Sequence, residues 1–346
     1  MLAALSRKIQ QGWYEGHFLL YLLLPASLLF QKLVSLRRQA YLDGKKAVIA
    51  SPCPVIVVGN INVGGSGKSP LVIWLAEKLK SEGYRPGIVS RGYGGKAPSY
   101  PFLVDEKSGP AQVGDEPWMI QRRTGLPCVV DPNRPRGIRH LYETQDCDIV
   151  ISDDGLQHYA MARDVEIAVL DGQRRLGNGF CLPAGPLREP ASRLDSVDFV
   201  VVNGGEAVDK HYAMGLEASG LFALKDFDQT NRLIKQQEAN KEVHAVAGIG
   251  NPQRFFDTLT ALGYRVDPHP FPDHYPFSSK DLVFDDENPV ILTEKDAVKC
   301  LSFYNKNTYY LRVDAKLEAH FWPALQGKLK GLFKPAYNQG TVHDRQ

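Results

Sequence analysis

A lysine beside a hydroxyl, two adjacent carboxylates and a histidine framed by prolines are the residues of this chain best suited to chemistry. The first grouping closes the segment Pro54–Pro70, PVIVVGNINVGGSGKSP. Apolar, mostly β-branched Val55–Val58 run into a glycine-rich loop, and Leu71, Ile73, Trp74, Leu75 and Leu79 follow at helical spacing. Strand, glycine loop and helix in that order cradle nucleotide phosphates. Backbone N–H groups of Asn62, Val63, Gly64, Gly65, Ser66 and Gly67 turn toward the anion. The Lys68 ammonium then reaches the outer phosphates, and the Ser69 hydroxyl ligates Mg²⁺. The loop therefore points to ATP with Mg²⁺. Asn62 stands where the strict pattern has its first glycine, and a ligand-free glycine turn is the plain alternative.

The second grouping is DIVISDDG, Asp148–Gly155. An apolar strand delivers Asp153 and Asp154 together, where phosphate-loop proteins keep the acid that orients Mg²⁺. Paired carboxylates repel, so a cation stabilises them; a solvated turn is the alternative. Gln157 and His158 follow at once. Gly114-Asp115-Glu116-Pro117 puts two more acids before a helix expected over Trp118–Arg123, where they would equally serve as an N-terminal cap. The glycines of Ser90–Gly95, SRGYGG, suit a loop close to a ligand or a simple turn. Further on, FPDHYPF presents His274 on a loop stiffened by prolines and aromatics.

These groups need a scaffold, and the apolar pattern supplies one. Strands are expected at Pro86–Ser90, Cys128–Asp131, Asp148–Ser152, Glu166–Asp171 and Phe199–Asn203. Several are near-continuous apolar runs, as buried parallel strands are. The implied fold class is α/β, a doubly wound and mostly parallel sheet like that of phosphate-loop NTPases, with ligands at the carboxyl ends of its strands. Residues 172–193 are rich in Gly, Pro and Arg and read as a functional loop. Its Arg174, Arg175, Arg188 and Arg193 are candidates for holding an anionic substrate group. A polar stretch from Lys225 to Glu242 precedes a second α/β block, with strands expected at Val243–Gly248, Val290–Thr293 and Thr308–Val313. There Thr293-Glu294-Lys295-Asp296-Ala297 follows a strand, as a helix cap or a contact to a nucleotide base. The expected divisions are 1–45, 46–224 and 225–346: an N-terminal membrane-associated helical segment, a phosphate-loop core and a smaller α/β lid.

The N-terminal fifty residues carry seven Lys/Arg against two acids, although the chain as a whole has a net charge of only +2. That end is also the most apolar, with FLLYLLLPASLLF at Phe18–Phe30. Thirteen helical residues rise about 20 Å, short of the roughly 30 Å hydrocarbon core. Leu29, Leu33, Leu36 and Ala40 share one helical face. The reading is an interfacial helix on an anionic membrane surface. A helix packed on the protein's own core and a cleaved signal peptide are the competing readings. Five scattered cysteines, with no C-x-x-C pair, argue against a zinc or disulfide framework.

Taken in order, GNINVGGSGKSP, SRGYGG, GDEP, DPNR, SDDGLQH, LPAGPLREP, FPDHYPF and LTEKDAVK resemble the tetraacyldisaccharide 4'-kinase family. The resemblance spans most of the chain, and the departure at Asn62 is shared by the family pattern. It implies transfer of the ATP γ-phosphate to the 4'-hydroxyl of an acylated glucosamine disaccharide 1-phosphate, giving lipid IVA. It places the protein at the cytoplasmic face of the bacterial inner membrane, on anionic lipid, with no nucleic-acid partner and no obligate protein partner. On this reading Ser69, Asp153 and Glu116 hold Mg²⁺, and Asp115 is the general base with His274, which acts with it in the family. Asp154 is the second choice as base. Tyr93, Asn133, Arg134, Gln157, His158, Arg188 and Glu189 are carried over as substrate-side residues. The competing classes are a phosphate-loop ATPase or GTPase switch and a non-catalytic nucleotide sensor.

Overall fold

The computed structural model describes residues 2–207, 211–227 and 242–332. Most of the polar stretch expected between the two blocks, residues 228–241, lies outside the described residues. The N-terminal block contributes β1 (Val55–Gly59), β2 (Pro86–Ser90), β3 (Phe102–Leu103), β4 (Cys128–Val130), β5 (Ile149–Asp153), β6 (Val165–Asp171) and β7 (Phe199–Asn203). Beyond it come β8 (Tyr212–Ala223), β9 (Glu242–Ala247), β10 (Arg265–Pro270), β11 (Val290–Thr293) and β12 (Thr308–Leu317). The helices are α1 (Leu2–Glu15), α2 (Leu24–Leu42), α3 (Lys68–Ser81), α4 (Pro110–Val113), α5 (Asp115–Thr124), α6 (Arg134–Gln145), α7 (Pro252–Ala261), α8 (Glu294–Lys299) and α9 (Phe321–Lys330).

All twelve strands join one mixed, mostly parallel sheet in the order β10-β9-β11-β12-β8-β7-β6-β1-β5-β2-β4-β3. Among the described residues, only β12 with β8 and β3 with β4 run antiparallel. β1 sits between β5 and β6, so the phosphate loop leaves the sheet at its centre. Both faces are covered. Ile56 and Val58 pack with Leu71, Leu75 and Leu79 of α3 on one face. Val55 and Val57 pack with Ile138 and Leu141 of α6 on the other. This is why the central strands read as unbroken apolar runs.

β8 ties the two blocks together, pairing with β7 on one side and β12 on the other. Arg123 of α5 adds an ionic tie: its Nη1 lies 2.7 Å from Glu294 Oε2, and its Nη2 meets Asp314. Two elements absent from the sequence reading have clear reasons. β8 carries Gly215 and Gly220, which dilute a strand pattern. β10 contains Pro268 and Pro270 and survives because it is an edge strand, where the missing N–H groups cost no ladder partner. Two expected elements are shifted. β5 extends to Asp153, and α5 begins at Asp115, so both expected carboxylate pairs sit at element ends.

At the N-terminus a 3₁₀ turn over Phe18–Leu23 leads into α2. Pro25 lies in the first turn of that helix, where its missing N–H is harmless, and so it does not break the apolar stretch. The helical stretch Phe18–Leu42 has 25 residues and is long and apolar enough to cross a membrane by length and composition. Leu29, Leu33 and Leu36 are each more than half exposed, so this face is not packed on the protein's own core. The opposite face docks on residues 172–193. Ser27 Oγ donates to Cys181 O at 2.6 Å, and from α1 Trp13 Nε1 donates to Pro183 O at 3.1 Å.

Candidate active site

The phosphate loop is held from several sides. Gly67 adopts φ +93°, a conformation that favours glycine, and Asn203 Nδ2 donates to Ser66 O at 3.1 Å. Val63 N donates to Pro186 O at 2.8 Å, and Asn62 Nδ2 donates to Arg175 O at 2.7 Å. The side chain at the irregular first position thus ties the loop to residues 172–193. Ser66 Oγ and Asn62 Oδ1 are buried without a hydrogen-bond partner.

β5 delivers Asp153 and Asp154 into opposite environments. Asp154, at φ +47°, accepts from Arg188 Nη1 at 3.1 Å and Nη2 at 2.9 Å, and Lys68 Nζ stands 3.7 Å away. Burial alone would raise its pKa, but Lys68, Arg188 and Arg134 overcome that and hold it well below the usual carboxylate range. Asp153 is buried and accepts one bond, from Ser90 Oγ at 3.1 Å, while its Oδ1 has no partner. Burial, then the nearby Glu116 and Asp154 charges, push it up to about 7. Arg134 Nη2 donates to the Asp153 carbonyl at 2.6 Å and fixes this strand end.

The second block brings a further set. Lys295, in the first turn of α8, lies 2.7 Å from Glu116 Oε1 and 3.7 Å from Asp273 Oδ1. Thr293 caps that helix by accepting from Asp296 N at 3.1 Å, as one of the two readings of the TEKDA segment expects, and Thr293, Glu294 and Lys295 also line a cavity beside the phosphate loop. His274 adopts φ +60°, its Nε2 is 3.9 Å from Asp273 Oδ1, and its ring meets Tyr93 edge-on at 5.3 Å. Burial, then Lys295, lowers the His274 pKa. Burial raises Asp115, against the pull of Lys299, Lys295 and His274. Burial would raise Glu116 too, but Lys295 and Lys68 reverse the sign and lower it.

Lys68, Asp115, Glu116, Asp153, Asp154 and His274 all line one cavity of about 810 Å³. Tyr93, Arg134, Gln157, His158 and Arg188 line it as well. Burial and four arginines push His158 down to about 4, so it is neutral near pH 7. Ser69, together with the loop residues Gly65–Lys68, lines a neighbouring cavity of about 420 Å³ among Ile73, Met119, Phe255 and Leu311. Asn133 and Glu189 are not among the lining residues. The Asn133 side chain caps α6 through Arg136 N, and Glu189 is buried, accepting from Gln157 Nε2 at 2.6 Å. Arg193, read from sequence as an anion holder, is buried against Glu166 and Glu189 and braces the loop instead. Arg174 stacks on Tyr14 at 5.1 Å. Asp273 and Ser90 carry site geometry without an individual role in the sequence reading, and Lys295 is read there only within a helix cap or base contact. Their signal lies in the segments FPDHYPF, SRGYGG and TEKDA.

The comparisons with known proteins point the same way. A family model described as tetraacyldisaccharide-1-P 4'-kinase matches residues 19–330. A curated relative from Nitrosococcus oceani, named tetraacyldisaccharide 4'-kinase, is 49% identical over 337 residues, covering 97% of this chain and 98% of its own. The chain belongs to the tetraacyldisaccharide 4'-kinase family. A relative of the same name from Pseudomonas aeruginosa is 47% identical over 328 residues, with 94% and 98% covered. The crystal structure of LpxK from Aquifex aeolicus in complex with ATP superposes with a TM-score of 0.76 at 30% identity, covering 92% of this chain and 100% of that one. Membership makes this protein a kinase of lipid A biosynthesis, and a hydrolytic switch is not favoured.

Proposed function

We propose that this kinase moves the γ-phosphoryl group of ATP onto the 4'-hydroxyl of an acylated glucosamine disaccharide 1-phosphate at a membrane surface, with Asp115 as base. The observation that carries this is the single cavity in which the phosphate loop, four carboxylates of the core and His274 of the second block meet. Lys68 and the backbone of residues 62–69 bind the phosphates, and the apolar cavity beside the loop takes the base. The acceptor oxygen forms a bond to the γ-phosphorus as the bond to the departing ADP oxygen breaks. The hydroxyl proton passes to Asp115. A carboxylate with a raised pKa is the stronger base, whereas Asp154 is held ionised and its oxygens are spent on Arg188. His274, neutral and beside Tyr93, supports Asp115 from the second block, so base assembly depends on the 225–346 region closing on the core.

A divalent cation fits the unpartnered oxygen of Asp153 together with Glu116 and Ser69, an all-oxygen donor set suited to Mg²⁺. Mg²⁺ there would neutralise charge on the phosphates. The exposed leucines of α2 lie in the lipid interface, and the exposed Lys32 meets anionic headgroups at the cytoplasmic face of the inner membrane. Arg37 of the same helix lines the reaction cavity, so the helix that meets the lipid also meets the substrate. No protein partner is needed for this chemistry.

The test is transfer of labelled γ-phosphate from Mg-ATP to a tetraacylated disaccharide 1-phosphate. Labelled lipid, lost in Lys68→Ala, is expected; free phosphate without labelled lipid would sink the reading. For the membrane part, Leu29→Ser with Leu33→Ser and Leu36→Ser should weaken sedimentation with anionic vesicles by on the order of 100-fold, at about 1 kcal/mol per leucine. Unchanged sedimentation would remove α2 as the anchor.

A further inference from the structure

Well away from the phosphate loop in the sheet order, on the edge formed by β9 and β10, three ligand atoms converge. His244 Nδ1 on β9 is 3.0 Å from Asp267 Oδ2 and 3.1 Å from His269 Nε2, and His269 Nε2 is 3.0 Å from Asp267 Oδ2. The register explains the meeting. His244 pairs directly with Asp267, and His269 is two residues further along β10 on the same face. We propose that His244, Asp267 and His269 form a binding site for a borderline divalent transition-metal ion of the Zn²⁺ class.

With Asp267 ionised, as its exposure favours, protons on the two imidazoles do not satisfy all three edges. His244 Nε2 lies 3.0 Å from Asp286 Oδ1. An N–H donated there leaves Nδ1 of a neutral ring as a lone pair facing the carboxylate and the second imidazole. If His244 carries a second proton on Nδ1, that N–H serves the Asp267 edge and leaves the edge between His269 and Asp267 as facing lone pairs. If both rings are protonated, two N–H groups confront each other across the remaining edge. A cation at the centre satisfies all three edges together. Its size is readable: donors about 2.1 Å from a common centre, at near-right angles, stand roughly 3 Å apart. Two imidazoles and one carboxylate suit Zn²⁺, Fe²⁺ or Ni²⁺ rather than Mg²⁺, with further coordination positions left for water.

The surroundings resemble the outer shell of a metal centre. Asp286 fixes the His244 tautomer, as carboxylates behind metal-bound histidines do. Asp286 is itself oriented by Asn288, whose N and Nδ2 each donate to it at 2.9 Å. Phe284 stacks on the His244 ring at 3.8 Å and shields one side. His244 is buried while Asp267 is 58% exposed, so the site opens to solvent for entry. Such an ion would pin β10, whose only partner strand among the described residues is β9, to the sheet. β10 runs straight into the loop bearing Asp273 and His274.

The experiment is titration of the full chain with Co²⁺, followed by its ligand-field absorption. One equivalent per chain is expected to develop bands, to be displaced by Zn²⁺ and to be unaffected by Mg²⁺. Asp267→Asn and His269→Asn should abolish the bands. Asp286→Asn should keep them and weaken affinity by about 10–100-fold. Asp153→Asn, a change at the other acidic centre, should leave them intact. Absence of bands, or bands that survive in the Asp267→Asn, His269→Asn double variant, would overturn the site. Should those variants unfold, hydrogen exchange in the unaltered chain decides: Zn²⁺ slows the β10 amides Asp267 and His269, and unchanged exchange there overturns the proposal.

Discussion

On one wall of the reaction cavity Asp154 is gripped by two nitrogens of Arg188, and Arg134 clamps the carbonyl of Asp153. On another wall, Lys295, Asp273 and His274 reach the site from α8 and from the loop after β10. The first set is fixed by strand ends at the centre of a twelve-stranded sheet. The second depends on one ion pair of 2.7 Å between Lys295 and Glu116 and on a histidine at positive φ. The Asp154 charge is thus held in place by Lys68, Arg188 and Arg134 of the core alone. The other wall acts on the core through its field, above all on Asp115. Residues of the two walls should therefore fail in different ways when removed.

The largest effect separates base from binding. Asp115→Asn should lower kcat by about 10²–10⁴-fold, the range for loss of a general base, with ATP affinity nearly unchanged. Lys68→Ala should cost about 10²–10³-fold, and here ATP affinity falls with turnover. Single-turnover kinetics beside nucleotide binding distinguish them. If Asp115→Asn retained normal turnover, the base would have to be sought on the core wall, with Asp154 next.

A smaller effect sharpens the same contrast through pH. The Lys295 charge lowers the pKa of Asp115, Glu116 and His274 alike. Lys295→Met therefore raises all three. The acid limb of the kcat/KM profile, which reports ionisation of the base, should move to higher pH. Asp154 draws its low pKa from Lys68 and Arg188, and it should hardly respond. An unmoved acid limb would mean that the second block does not tune the base.

The core wall was the more legible in sequence, for a physical reason. Its side chains follow immediately on apolar strands, so Lys68, Ser69, Asp153 and Asp154 announce themselves by local order. Strand pattern and ligand type coincide there. Asp273, His274 and Lys295 belong to short elements whose meaning lies in distant partners: Glu116 is far from Lys295 in the chain, and Tyr93 far from His274. Arg193 illustrates the opposite error. A Gly, Pro and Arg run reads as a functional loop with guanidiniums free for an anion, yet Arg193 is buried and pairs with Glu166 and Glu189. β10 was illegible because its prolines deny the usual strand signal, and edge placement alone makes them tolerable.

The smallest effect is on stability, and its sign differs between neighbours on the core wall. Asp153 is raised from 3.8 to about 7 in the folded chain, first by burial and then by Glu116 and Asp154. Its folded-state advantage is present below pH 3.8 and lost as pH rises through 7. Asp153→Asn removes that titration while keeping the shape. The variant should therefore melt above the parent at pH 8 in the absence of divalent cations, and the gap should close toward pH 4. Glu116 behaves in the reverse sense. Its folded pKa is lowered from 4.5, so its contribution is present above that value and is lost as pH falls below it. Glu116→Gln should therefore lower the melting temperature at pH 8, with the difference shrinking in acid. Calorimetry of both variants at the two pH values checks the pair. Equal shifts in one direction would mean that the carboxylates share one environment, and that the wall is not held at fixed charge before its ligands arrive.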